Sequence, residues 1–219
     1  PPHPGQREHG SAGAPAAAGG AAAAGKQPHE RGPETMATDL NGSVIAFLAA
    51  PEGTEQVELT EPWEAVEKAG GRPQLISTSP GRIQAFNHLD RGDTFTVHAT
   101  VEDVGAGDFA GLVMPGGVAN PDFLRTVPRA VAFTKEFFDK AEPVAAICHA
   151  PWTLIEADAV SGRRMTSFPS LRTDIANAGG DWVDEEVVVC SMGPNKLVTS
   201  RKPDDIPAFN DAMLSAFAE

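Results

Sequence analysis

The sequence predicts an α/β fold, a doubly wound sandwich with a mostly parallel central sheet. Three observations carry this. Ser43-Val44-Ile45-Ala46-Phe47-Leu48-Ala49 is a continuous apolar run of the kind that forms a central parallel strand, buried on both faces. Strand-like and helix-like segments alternate along the chain, with Gly-Gly pairs at helix ends. Val144-Ala145-Ala146-Ile147-Cys148-His149-Ala150-Pro151-Trp152 reads as a buried strand that turns sharply at Cys148 into a helix. Pro151 suits the first turn of that helix, where its missing N–H would be unpaired anyway.

The first 35 residues contain no Leu, Ile, Val, Phe or Met. They cannot bury a core, so residues 1–38 are expected to form a disordered Pro/Ala/Gly-rich tail and residues 39–219 one domain. The alanine run Ala16–Ala24 is broken by Gly19-Gly20 and lacks bulky apolar residues, which makes it a poor signal sequence. Met36-Ala37-Thr38 reads as an internal start.

After the first strand, Pro51-Glu52-Gly53-Thr54 reads as a loop and Glu55–Ala69 as a helix stopped by Gly70-Gly71. Pro62 within it predicts a kink or a two-part helix. Gln74–Ser77 is the second strand and implies a right-handed crossover. Arg82–Ala85 and Thr94–Val97 read as a small hairpin, and Asp108–Gly117 as a buried strand closed by Gly116-Gly117. Asp122–Leu124 and Pro128–Lys140 are helical, followed by the Cys148 strand. Arg164–Ser167 is a short strand and Leu171–Ala178 a helix. Val187–Cys190 and Lys196–Ser200 pair across Gly193-Pro194-Asn195, and Asp204 and Asp205 cap a last helix through Phe217.

The charge balance excludes some functions. Lys and Arg number 17 against 30 Asp and Glu, a net charge of −13, which argues against a nucleic-acid partner. No apolar run is long enough to cross a bilayer. Two cysteines, Cys148 and Cys190, make no disulfide framework and suggest a reducing compartment, here the cytoplasm. No HxxH or CxxC spacing occurs, so a structural zinc site is not expected; no metal or cofactor is assigned. His88 and His98 read as surface or minor packing residues, and Cys190 as buried and inert.

A thiol at a strand-to-helix turn is a candidate nucleophile, because a helix N-terminus and a neighbouring histidine both lower a thiol pKa. The competing reading is a small buried hydrophobe at a strand end. The Cys-His pair and the helix-starting proline favour the first.

Glu58 in Val57-Glu58-Leu59-Thr60-Glu61-Pro62, the turn Pro115-Gly116-Gly117, Ile147-Cys148-His149-Ala150-Pro151, Thr199-Ser200-Arg201 and Pro203-Asp204-Asp205 occur in family order. Together they resemble the PfpI/ThiJ family, in its intracellular peptidase-I-like (YhbO-like) branch, from about Gly42 to the C-terminus. The resemblance implies a three-layer, flavodoxin-like sandwich with a nucleophile elbow. It assigns Cys148 as nucleophile, His149 as its base and Glu58 as a protonated acid bonded to the thiolate. Asp122 matches an acid that orients the histidine across a subunit interface, so a homo-oligomer, dimer or higher, is implied. The amides of Gly117 and His149 would form the oxyanion hole. Taken without the resemblance, Glu58 would be a solvated surface residue, Asp122 an N-cap and Gly116-Gly117 a tight turn. Two departures stand out: Ala150 replaces a common glycine, and the Gly117–Asp122 loop is one residue longer than usual.

The elbow also resembles class I glutamine amidotransferases, but their triad needs a downstream histidine and none follows His149. Three functions remain. The first is a cysteine hydrolase acting on glyoxal or methylglyoxal adducts of protein side chains (a deglycase), or on the free dialdehydes as a glutathione-independent glyoxalase. The second is an intracellular cysteine peptidase. The third is a non-enzymatic stress protein that senses oxidation at Cys148. The first is preferred, with small aldehydes or glycated side chains as partners.

Overall fold

The computed structural model describes residues 38–219. The expected tail therefore lies almost entirely outside the described residues. Twelve strands run as β1 (Val44–Leu48), β2 (Glu52–Glu55), β3 (Arg72–Ser77), β4 (Arg82–Asn87), β5 (Asp90–Thr96), β6 (Ala99–Thr100), β7 (Leu112–Met114), β8 (Val144–Ile147), β9 (Arg164–Met165), β10 (Asp181–Trp182), β11 (Val187–Cys190) and β12 (Leu197–Ser200). The helices are α1 (Gln56–Lys68), α2 (Ala119–Leu124), α3 (Pro128–Asp139), α4 (Pro151–Glu156), α5 (Arg172–Asn177) and α6 (Ile206–Phe217).

Seven strands form the central sheet in the order β11-β12-β8-β7-β1-β3-β6. Every pairing in it is parallel except β11 with β12. The period of two along each strand sorts the core into two layers. Ala46 and Leu48 of β1, Met114 of β7 and Ala146 of β8 face Phe133 and Phe137 of α3 and Leu154 of α4. Ile45 and Phe47, Val113, Ala145 and Ile147 face Leu59 and Val66 of α1 and Phe209 and Met213 of α6. Phe133 and Phe137 meet edge to face at 5.3 Å, and each fully buried aromatic of this kind contributes about 1.5–3 kcal/mol. The result is the three-layer, flavodoxin-like α/β sandwich.

Several local expectations are corrected. Glu52–Glu55 is a strand, because its backbone pairs in parallel with β4 and makes a second sheet, β2-β4-β5. Helix α1 stays a single element through Pro62, which is buried at the i+4 position from Glu58. Asp205 occupies the N-cap position of α6 but makes no side-chain cap. Its carboxylate instead accepts from Arg201 Nε at 2.8 Å and Nη2 at 3.1 Å. Short parallel β9 and β10 form a third sheet that the sequence reading shows only in part.

Candidate active site

The carboxyl ends of β1, β7 and β8 converge at one edge of the sheet, beside the point where the strand order reverses, the usual ligand position in open α/β sheets. Cys148 follows β8 directly. Its φ of +64° is the left-handed region, which costs a non-glycine residue on the order of 1–3 kcal/mol and is held here by its surroundings. Its N–H donates to Ser200 O at 3.0 Å and its carbonyl accepts from Phe168 N at 2.9 Å. The turn is thus clamped from both sides. Ala150 adopts φ −51°, ψ −33°, ordinary helical geometry, so its methyl group is accommodated without strain and packs in the core.

His149 lies next to the sulfur, with Nδ1 3.1 Å from Cys148 Sγ. Its Nε2 is 3.3 Å from Ser170 Oγ. The arrangement fits the tautomer in which Nδ1 accepts the S–H and Nε2 bears the proton, an assignment made from the hydrogen-bond network. The ring stacks on Phe168 at 4.6 Å and meets Trp152 edge-on at 5.2 Å. Burial in this setting pushes its pKa down, so the imidazole is neutral.

Glu58 is fully buried on the inner face of α1. Its Oε2 accepts from Gly116 N at 2.8 Å, and Oε1 has no hydrogen-bond partner among the described residues. Burial raises its pKa to about 8, against the opposing pull of the Gly116 N–H and the Cys148 thiol. The carboxyl is therefore protonated at neutral pH, and is a donor rather than an ion.

The thiol differs from the sequence expectation. Burial first, and then the charge of ionised Glu58, push its pKa up, while the Gly117 and His149 amides pull it down. Helix α4 is only six residues long, and its dipole does not outweigh desolvation. Below about pH 8 Glu58 is neutral, its repulsion is absent, and the same carboxyl can donate to the sulfur. The resting centre is a thiol, a neutral imidazole and a carboxylic acid, all uncharged.

The glycine turn is more than a turn. A Cβ on Gly116 would lie 2.5 Å from Glu58 Oε2 and 2.6 Å from Cys148 Cβ. Gly117, at φ +81°, brings its backbone against Gly53 O, where a side chain would collide. Asn120, which the motif reading passes over, fixes this turn: Nδ2 donates to Pro115 O at 2.9 Å and Gly116 O at 3.1 Å, and Oδ1 accepts from Ala50 N at 2.7 Å. Its role rests on tertiary contacts that the local sequence does not show.

The centre opens into a cleft of about 830 Å³ lined by Glu52, Glu55, Phe86, His88, Leu89, Val118, Asp122 and Phe168 among others. Asp122 is on the exposed rim in α2, and no bond links it to His149 within the chain; Ser170 takes that place. Neither Ser170 nor Phe168 carries a sequence signal. His88 is at the lip of the cleft, and His98 packs against Trp63 away from it. Cys190 is buried in β11. Among the described residues no group of three or more His, Cys, Asp or Glu could hold a metal ion, and no helix is long and apolar enough to cross a membrane.

Fold and centre together define a class: α/β sandwich proteins with a cysteine elbow, an adjoining histidine and a buried glutamic acid. The chain belongs to the DJ-1/PfpI family, whose model matches residues 43–216. It is 45% identical over 161 residues to General stress protein 18 of Bacillus subtilis (strain 168), covering 74% of this chain and 90% of that protein. It is 39% identical over 166 residues to Protein/nucleic acid deglycase 2 of Escherichia coli (strain K12), covering 76% and 92%. A crystal structure of a two-domain protein with DJ-1/ThiJ/PfpI-like and ferritin-like domains from Anabaena variabilis superposes with a TM-score of 0.72 at 31% identity. That match covers 79% of this chain and 47% of the two-domain protein, so this chain spans under half of it.

Proposed function

We propose that the chain is a cysteine-dependent hydrolase acting on methylglyoxal or glyoxal adducts of protein side chains, or on the free 1,2-dicarbonyls. One observation carries the reading: Cys148 Sγ is 3.1 Å from His149 Nδ1, against the buried Glu58 carboxyl, with the Gly117 and His149 amides directed at it. Relatives named as a deglycase and as a general stress protein support it.

With methylglyoxal, the sulfur adds to the aldehyde carbon as His149 takes the thiol proton, and the oxygen is protonated to give a hemithioacetal. With an amine adduct, the same S–C bond forms as the C–N bond breaks, and the amine leaves with a proton. The hemithioacetal carbon then loses its proton to a base, the neighbouring carbonyl carbon gains one, and a thioester results. Water hydrolyses it to lactate and restores the thiol. No external oxidant or reductant is needed. The Gly117 and His149 amides hold the developing oxyanion, and Glu58, protonated, donates to the sulfur when it leaves as thiolate.

Asp122 has a place in this reading only through a second copy. We propose that the protein works as a dimer or larger homo-oligomer in which Asp122 approaches the His149 ring of a neighbour. Its exposed position on the cleft rim supports this. Two free cysteines suit a reducing compartment such as the cytoplasm.

The test is lactate release from methylglyoxal, and recovery of free amine from a methylglyoxal-treated peptide, by purified protein. Both should be lost in Cys148→Ser. Cleavage of denatured protein in place of either reaction would favour a peptidase instead.

A further inference from the structure

Two consecutive peptide units at the Pro115-Gly116-Gly117 turn are held the same way round. In the first, Gly116 N donates to Glu58 Oε2 at 2.8 Å, and Pro115 O accepts from Asn120 Nδ2 at 2.9 Å. In the second, Gly116 O accepts from Asn120 Nδ2 at 3.1 Å and from Glu55 N at 3.4 Å, while the Gly117 N–H reaches the Cys148 sulfur and the Glu58 carboxyl. A trans peptide is planar, with its C=O and N–H pointing opposite ways, so fixing the carbonyl fixes where the N–H aims. Successive N–H groups on one side of a turn make a concavity that holds negative charge. One side chain thus takes both carbonyls and leaves both donors facing the reactive centre. Asn120 is fully buried, and its Oδ1 accepts from Ala50 N at 2.7 Å, just past the end of β1. A donating N–H on one side and two accepting carbonyls on the other leave its amide a single orientation.

We propose that Asn120 is a positioning residue for the oxyanion site: it keeps the Gly116–Gly117 peptide turned so that the Gly117 N–H, and not the Gly116 carbonyl, faces the reacting atoms. The catalytic consequence rests on the function proposed above; the orientation of the peptide does not. The turn needs such a restraint, because neither Gly116 nor Gly117 has a Cβ to hinder rotation of the peptide between them. Gly117 sits at φ +81°, the sign found at the third position of a type II turn, and turning the central peptide over gives the type I form with a negative φ there. The turned-over peptide would aim a carbonyl dipole at a sulfur and an oxygen that gather negative charge. It would also strip Asn120 Nδ2 and Glu55 N of a shared acceptor in the interior, where unpaired donors are costly. Asn120 itself touches no reacting atom and exchanges no proton; it acts through the glycine turn.

The experiment removes the donor and keeps the shape. Asn120→Asp retains an acceptor for Ala50 N but turns an oxygen toward the two carbonyls. Asn120→Ser leaves room for water and serves where the aspartate variant does not fold. Both are compared with the parent as protein of matching near-UV circular dichroism. Alkylation by iodoacetamide across pH, read by mass on the Cys148 peptide, needs no substrate and is independent of the proposed chemistry. With the Gly117 N–H turned away the thiolate loses a donor, so the profile should move up by about one pH unit and the rate at fixed pH should fall about tenfold. A merely loosened structure would expose the buried thiol and raise that rate instead. On methylglyoxal, kcat should fall roughly 10–100-fold with KM within about threefold. In the wild-type protein, the Asn120 side-chain amide protons should exchange with deuterium far more slowly than those of exposed Asn177. An alkylation profile unmoved or shifted down in a folded variant, a kcat equal to the parent's, or Asn120 protons that exchange as fast as those of Asn177 would overturn the inference. A raised alkylation profile in the variants of a protein that turns over no methylglyoxal would refute the function and support the assignment of Asn120.

Discussion

Glu58 and Cys148 press on Gly116 from two sides, so closely that one methyl group at that position would meet both. The acid comes from α1 and the thiol from the end of β8, and only a residue without a side chain lets them face each other. The contact explains why a glutamate can be fully buried here: its Oε2 takes the Gly116 N–H, and its proton is retained.

Gly116→Ala should therefore damage both stability and activity. Overpacking of this kind costs about 1–3 kcal/mol, since Ile147 O at 2.9 Å blocks retreat on the third side. Denaturant unfolding should show a lowered midpoint with an unchanged slope, and lactate release should fall with it. A variant as stable and active as the parent would show that the two side chains are not held apart by this position.

The raised pKa of Glu58 has a defined pH signature. The folded state keeps the proton up to about pH 8 while the unfolded chain releases it near 4.5, so the fold binds more protons between these values. The contribution is full below pH 4.5 and is lost as pH rises to about 8, with a slope of up to about 1.4 kcal/mol per pH unit. Glu58→Gln removes that slope while leaving other groups in place. Urea unfolding of both proteins from pH 5 to pH 9 measures it; parallel curves would contradict a buried, protonated Glu58. In activity, the parent should decline above about pH 8, as ionised Glu58 repels the thiolate, and Glu58→Gln should lack that decline.

His149→Ala should lower kcat by roughly 10²–10⁴-fold, the usual worth of a positioned general base. Ser170→Ala, which touches only the far ring nitrogen, should cost less than about tenfold, because Phe168 and Trp152 still hold the ring. Steady-state kinetics on methylglyoxal compares the two. Equal losses would make Ser170, not ring stacking, the main restraint on the imidazole.

Much of this architecture was legible in the chain. Val44–Leu48 and Val144–Ile147 read as buried parallel strands because both their faces are apolar, and Gly70-Gly71 marked the end of α1. Glu52–Glu55 did not read as a strand, because Glu-Gly-Thr-Glu has no apolar alternation and its order comes from pairing with distant Gln84–Phe86. Pro62 suggested a break, yet packing of one helix face against the sheet keeps α1 whole. At the site, Cys148 and His149 were visible from the turn itself. Glu58 was visible only through the family resemblance, since local sequence places a glutamate in solvent. The thiol's raised pKa was not visible at all, because it depends on burial and on the proximity of Glu58, both tertiary.

Covalent catalysis requires a bond between the Cys148 sulfur and the substrate carbon. Acid quenching of a rapid reaction with methylglyoxal, followed by peptide mass analysis, tests it most directly. One methylglyoxal unit is expected on the Cys148 peptide, vanishing as lactate appears, with no such species and no lactate in Cys148→Ser. Lactate formation by Cys148→Ser, with the Cys148 peptide of the parent never modified during turnover, would contradict it.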